Sequence, residues 1–234
     1  MRIAAIGDLH CRLNSVGLIR PLLAGVERDA DLLILAGDLT DTGLPGEMEV
    51  VLNELRGFSL PIVAVLGNHD HESDHAELLA SMLSSAGVSV LEGTVCEIDD
   101  VGFVGVKGFC GGFDRLIIQP FGERALKTFI QTSIDEAVRL ENALAKLDCP
   151  RKVAVLHYSP VPATLEGEAP ELYPFLGSSR LANAIDRHGA NLIVHGHAHH
   201  GSPHGRTPRG IPVHNVSRFV QLRFSGQPYC LFEV

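Results

Sequence analysis

Tryptophan is missing from this chain of 234 residues, and aromatic residues make up only 6% of it. The core must then be packed mostly with aliphatic side chains. Long apolar stretches are missing too: none reaches the roughly 18 residues that a membrane-spanning helix needs, so no membrane span is expected. The chain enters an apolar run at Ile3–Ile6 with no basic segment ahead of a long apolar one, so no secretory leader is expected either. The five cysteines, Cys11, Cys96, Cys110, Cys149 and Cys230, are odd in number, widely spaced and without a CxxC pair. This argues against a disulfide framework or a structural zinc knot, and for reduced thiols in a cytoplasmic protein. Positive charge is in short supply: 19 Lys and Arg stand against 28 Asp and Glu, a net charge of −9. Long-range repulsion then disfavours polyanions, and nucleic acid is not the expected partner. Bound divalent cations would reverse the sign locally, which leaves a small phosphorylated molecule open.

Glycine, by contrast, is abundant at 24 residues, while hydrophobic residues make up 45% and charged residues 20%, an ordinary globular balance. The length suits a single domain over residues 1–234. Apolar runs at Arg2–Ile6, Asp31–Ala36 and Pro61–Leu66 are bounded by turn signals and read as buried strands. Between them, Ser15–Arg28 and Gly46–Leu55 carry apolar residues at helical spacing, with Ser15 as N-cap of the first. This β-α-β-α-β order predicts an α/β fold with a largely parallel core. Further helices are predicted over His75–Ala86, Glu123–Leu147 and Ser178–Arg187. Further strands are predicted over Val88–Leu91, Thr94–Ile98, Gly102–Val106, Lys152–Leu156, Asn191–His195, Ile211–His214, Phe219–Phe224 and Tyr229–Phe232. The longest irregular stretch is Ser159–Gly177, and a loop of that length inside a compact domain is often functional.

The chemistry collects where the apolar runs end. Gly7-Asp8-Leu9-His10 follows the first, Gly37-Asp38-Leu39-Thr40-Asp41 the second and Gly67-Asn68-His69-Asp70 the third. His157 follows Val153–Leu156, and His195-Gly196-His197-Ala198-His199 closes the run from Leu192. Ligands of open α/β sheets bind beyond the carboxyl ends of the strands, so these five motifs can meet at one edge. Residues two apart in extended chain point the same way, so Asp8 with His10, and His197 with His199, each offer two ligands to one side. Carboxylate, imidazole and amide oxygen together suit manganese, iron or zinc better than an all-oxygen calcium site. A shared carboxylate can hold two such cations about 3.5–4 Å apart. Each motif alone has a plain reading as a turn, a helix start or a packed core histidine. The combination in this order is what points to a metal centre.

The pattern Asp8-x-His10, Gly37-Asp38-x-x-Asp41, Gly67-Asn68-His69-Asp70, His157 and Gly196-His197-x-His199 resembles the calcineurin-like metallophosphoesterases. The resemblance implies a two-sheet β sandwich flanked by helices, a four-layer α/β/β/α arrangement. It also implies two divalent or trivalent transition-metal ions (Mn, Fe or Zn) at the carboxyl edge. Asp8, His10 and His199 would bind the first metal, Asn68, His157 and His197 the second, and Asp38 would bridge them. A hydroxide shared by the metals would attack phosphorus. His69 would act as general acid on the leaving group, with Asp70 orienting its imidazole. The implied activity is hydrolysis of a phosphodiester or phosphomonoester. A non-catalytic scaffold that keeps the fold for protein binding is the alternative.

Other residues near the motifs read more plainly. Cys11 is expected to be a buried thiol, Arg12 either a phosphate ligand or a solvated arginine, and Asp41 a support for the loop rather than a ligand. His71 and His200 are expected at the surface and His195 in packing. His214 ends a strand that could border the metals. Gly108–Phe113 lacks nucleotide-fingerprint spacing and reads as a rim loop.

Overall fold

The structure, a computed structural model, describes residues 1–234. Its strands form two sheets packed face to face. The first holds β1 (Arg2–Ile6), β2 (Leu32–Ala36), β3 (Ile62–Val65), β4 (Ser89–Val90) and β11 (Cys230–Glu233), in the order β11-β1-β2-β3-β4. All its pairs are parallel except β11 with β1. The second holds β5 (Thr94–Ile98), β6 (Val101–Val106), β7 (Arg151–Leu156), β8 (Leu192–His195), β9 (His204–Arg206) and β10 (Pro212–Asn215), in the order β5-β6-β7-β8-β10-β9. Its central pairs β6–β7, β7–β8 and β8–β10 are parallel.

Strand alternation distributes the core. Ile3, Ala5, Ile34, Val63 and Val65 face Phe103, Val153, Val155 and Val194 across the sandwich, all of them fully buried. The residues between them turn outward, where Ala4, Ile6, Leu33 and Leu35 pack under helices. These helices are α1 (Ile19–Leu22), α2 (Val26–Asp29), α3 (Pro45–Leu55) and α4 (Ala76–Ser85). On the other side, Val104, Ala154 and Ile193 pack under α5 (Arg124–Leu144) and α7 (Ser179–His188). The result is α/β/β/α, with strands covered on both faces. That double burial is why they appear in the sequence as unbroken apolar runs. No helix is long and apolar enough to cross a membrane.

Two predicted elements differ from what forms. Ser15–Arg28 is not one helix: α1 and α2 are single turns separated by Gly25, whose φ of 91° interrupts the helix. Ser15 caps neither; its hydroxyl accepts from Arg12 N at 3.0 Å and closes the turn after His10. Phe219–Phe224, predicted as a strand, belongs to helix α8 (Arg218–Phe224). Its apolar spacing fits either period, and Gln221 settles the choice by donating to the carbonyl of Asn215 at 2.6 Å while both are buried. The Ser159–Gly177 stretch is ordered by short 3-10 turns and by α6 (Tyr173–Leu176).

Candidate metal centre

The strand ends of both sheets converge at one edge of the sandwich. From the first sheet come Asp8 and His10 after β1, Asp38 after β2 and Asn68 after β3; from the second come His157 after β7 and His197 and His199 after β8. The sheets are tied together there: Gly7 N donates to Val216 O at 2.9 Å, and His197 N donates to both oxygens of Asp8, at 3.0 and 3.2 Å. Asp8, His10, Asp38 and His197 all sit at positive φ, from 45° to 69°. Non-glycine residues rarely adopt that conformation, and clustered strain of this kind is a mark of functional sites.

Three groups of donor atoms result; His10, Asp41 and His69 form one, and Asp38 belongs to both of the others. Of these two, the first is Asp8, His10, Asp38 and His199; the second is Asp38, His157 and His197. In the first, His10 Nε2 lies 3.3 Å from His199 Nε2, and His199 Nε2 lies 3.2 Å from Asp8 Oδ1. In the second, His157 Nε2 lies 2.9 Å from Asn68 Oδ1 and 3.3 Å from Asp38 Oδ1. The opposite nitrogen of that ring, Nδ1, is 2.9 Å from the carbonyl of Ala36, which can only accept, so Nδ1 carries a proton. The neutral ring therefore aims a lone pair at two oxygens. With these oxygens facing it, the lone pair is completed by a cation, either a proton on His157 or a metal ion, and the donor set fits a transition metal.

The electrostatics of the chain agree with that arrangement. Burial alone would lower His157, but the charge and hydrogen bond of Asp38 outweigh it and raise it to about 9. Burial likewise raises Asp8, and the hydrogen bond and charge of His199 more than reverse this, leaving Asp8 below the usual carboxylate range. His197 is lowered to about 3, chiefly by burial, and so is held in the neutral form a metal ligand requires.

His69 donates from its backbone to Asp38 Oδ1 at 2.9 Å, and its Nδ1 lies 2.6 Å from the carbonyl of Asp41. Asp70 does not orient this imidazole. Its fully buried carboxylate accepts from Leu39 N (3.2 Å), Thr40 N (2.8 Å), Thr40 Oγ1 (2.6 Å) and Gly67 N (2.8 Å). Asp70 thus pins the turn that carries Asp38 to the turn that carries Asn68. The reason is geometric: His69 and Asp70 share a 3-10 turn, in which adjacent side chains diverge.

Asp41 is close to the support expected of it. Its Oδ1 lies 3.3 Å from His10 Nδ1 and its Oδ2 accepts from Arg12 Nε at 2.7 Å. Cys11 is fully buried, with burial raising its thiol to about 11. His195 is packed, with Nε2 2.9 Å from Thr164 Oγ1. His214 belongs to none of these donor groups; it pairs with His204 across β9–β10, Nδ1 to Nδ1 at 3.0 Å. Three residues near the site had no sequence signal. Arg218 Nε donates to the carbonyl of Asp8 at 2.8 Å, Phe219 stacks on His199 with centroids 4.5 Å apart, and Tyr158 stacks on His197 at 4.3 Å. Only the adjacency of Tyr158 to His157 could have flagged any of them.

A family model described as calcineurin-like phosphoesterase matches residues 1–201. A probable cyclic nucleotide phosphodiesterase of Rhodococcus erythropolis is 24% identical over 218 residues, 90% of this chain and 65% of the relative. Another, of Synechococcus sp., is 32% identical over 88 residues, 33% of this chain and 34% of the relative. The matched part of this chain therefore spans less than two thirds of either relative's length. Among solved structures, the phosphopantetheinyl hydrolase of Mycobacterium tuberculosis superposes with a TM-score of 0.66 at 18% identity, covering 98% of this chain and 95% of that one. A protein of Thermus thermophilus superposes with a TM-score of 0.61 at 15% identity, covering 99% and 98%. At such identities the likeness concerns the fold.

Proposed function

The chain belongs to the calcineurin-like phosphoesterase family, and from that premise we propose that it hydrolyses small phosphate esters with two transition-metal ions. The observation that carries this reading is the sharing of Asp38 by two donor groups. Asp8, His10 and His199 would hold one ion and Asn68, His157 and His197 the other, with Asp38 available to both. When bound, the ions lower the pKa of water towards about 7 and offset charge on the phosphoryl oxygens.

The chain's own residues do the rest. Ala36 O fixes the His157 tautomer and Asp41 holds the His10 ring. Asp70 keeps Asp38 and Asn68 in register. The Nδ1–H of His69 is engaged by Asp41 O, which leaves Nε2 to carry the proton that the departing oxygen takes up. The relatives' printed names favour a phosphodiester as substrate. The net charge of −9 repels polyanions, so a small diester fits better than a nucleic acid.

The test is turnover of bis-p-nitrophenyl phosphate and p-nitrophenyl phosphate with added manganese, wild type beside Asp38→Asn. The expected result is metal-dependent hydrolysis, faster for the diester and abolished in the variant. A folded protein that binds two ions yet turns over neither ester overturns the proposal.

A further inference from the structure

Lys107 directly follows β6, just as His157 directly follows the neighbouring parallel strand β7, with Val106 and Leu156 in register. Lys107 therefore stands at the metal-binding edge, one strand over from a ligand. The two are also joined through the backbone: the carbonyl of Lys107 accepts from His157 N at 3.1 Å and Tyr158 N at 3.0 Å. Its ammonium is half-buried over the rings of Phe109 and Tyr158, 5.0 and 5.3 Å from their centroids. Tyr158 in turn stacks on His197.

This ammonium has no carboxylate partner. Its hydrogen bond goes to the carbonyl of Gly108, at 3.1 Å. The acid facing it from α5 is Glu136, and both its oxygens are taken: Oε1 by Arg139 at 2.9 Å and Oε2 by Gly108 N at 2.8 Å. A half-buried cation left unneutralised is costly unless something else supplies the negative charge. Beside it lies a small cleft of about 40 Å³, walled by Leu66 and Val106, where Lys107, His71 and Arg139 meet the acids Glu92 and Glu136. His71 belongs to the same 3-10 turn as His69, directly after Asn68. The cleft thus adjoins the Asn68–His157 side of the centre, and neither of its acids, Glu92 or Glu136, forms an ion pair with Lys107.

We propose that Lys107 binds a second anionic group of the substrate, so that the site selects phosphate esters whose organic part carries a carboxylate or a further phosphate. This rests on the reading of the site as a phosphoester site. The chemistry is charge-assisted hydrogen bonding in a place sheltered from water, worth about tenfold in affinity.

The experiment is calorimetric titration of the manganese-loaded protein with non-hydrolysable probes. These are alkylphosphonates of two to five carbons and the matching series that ends in a carboxylate. Wild type is expected to bind at least one carboxylated probe about tenfold tighter than its plain counterpart. Lys107→Met should bring that ratio to about one, and Lys107→Arg should keep most of it. Lys107→Gln replaces the methionine variant if that one melts early or binds fewer metal ions. Equal affinity for both series in wild type overturns the proposal. So does a ratio that survives in Lys107→Met, or a loss in that variant that weakens both series alike. Turnover of bis-p-nitrophenyl phosphate by the same preparation is a separate reading: its absence would sink the hydrolase assignment while the probe ratio still judges Lys107.

Discussion

His69 is the one residue at the edge whose proposed role is to move a proton rather than to hold an ion. Its position separates those roles: the backbone N–H serves Asp38, Nδ1 serves the carbonyl of Asp41, and Nε2 is left over. A general acid matters in proportion to how badly the leaving oxygen needs a proton. An alkoxide needs one, whereas p-nitrophenolate departs without help. His69→Gln should therefore lower kcat by roughly 10²–10⁴-fold for a diester with an alkyl leaving group and change little for bis-p-nitrophenyl phosphate. A series of leaving groups of graded acidity gives the measurement: the rate should depend more steeply on leaving-group acidity in the variant. Equal losses across the series would mean that His69 serves the metals or the phosphoryl charge instead.

The turns at the strand ends are built so that ligands approach the backbone closely. Gly37 has a φ of 83°, and a Cβ there would overlap the ring of His157. Gly57 has almost the same φ, 88°, with nothing within 4 Å of such a Cβ. The pair separates backbone strain from crowding. Gly57→Ala should lose only the cost of the conformation, about 1 kcal/mol. Gly37→Ala should lose more and should also bind manganese more weakly, because the His157 ring must move. Denaturant melts and metal stoichiometry check both; equal effects would show that the approach to His157 is not what Gly37 protects. This also explains how much can be read from the sequence. Strands buried on both faces write themselves as apolar runs, and donor side chains follow directly at their ends, so the proposed ligands Asp8, His10, Asp38, Asn68, His157, His197 and His199 can be picked out before any fold is known. Asp70 can be picked out too, but not its role, because adjacency in sequence does not say which way a side chain leaves a 3-10 turn. Arg218, Phe219 and Lys107 stay hidden, since each reaches the edge from a segment whose own pattern says nothing of metal. The α8 segment reads wrongly as a strand because six residues of mixed pattern fit both periods, and its tertiary bonds through Gln221 decide.

The whole molecule is a sandwich held shut at one edge by residues that also titrate, so its stability and the proposed metal binding are linked through pH. Consider the metal-free protein. His195 is lowered to about 4 by burial, and His197 to about 3 for the same first reason. Below their ordinary value of 6.5 the unfolded chain takes up protons that the folded one refuses, so stability is lost as pH falls from there towards 4. His157 has the opposite sign. Raised to about 9 by Asp38 against its burial, it contributes fully below 6.5, and that contribution is lost as pH rises through 9. The melting temperature of the metal-free protein should therefore peak near neutrality and fall on both sides. In the proposed site a metal ion would take the place of the proton between His157, Asn68 and Asp38, so manganese should flatten the alkaline fall and leave the acid one, which belongs partly to His195. The same exchange should release protons on metal binding at pH 7 to 8, seen as a binding enthalpy that varies with the ionisation enthalpy of the buffer. Thermal melts from pH 5 to 10, with manganese and with a chelator, test the argument. An alkaline limb unchanged by metal would mean that the ion does not occupy the place of that proton, and the role of His157 as a ligand would have to be given up.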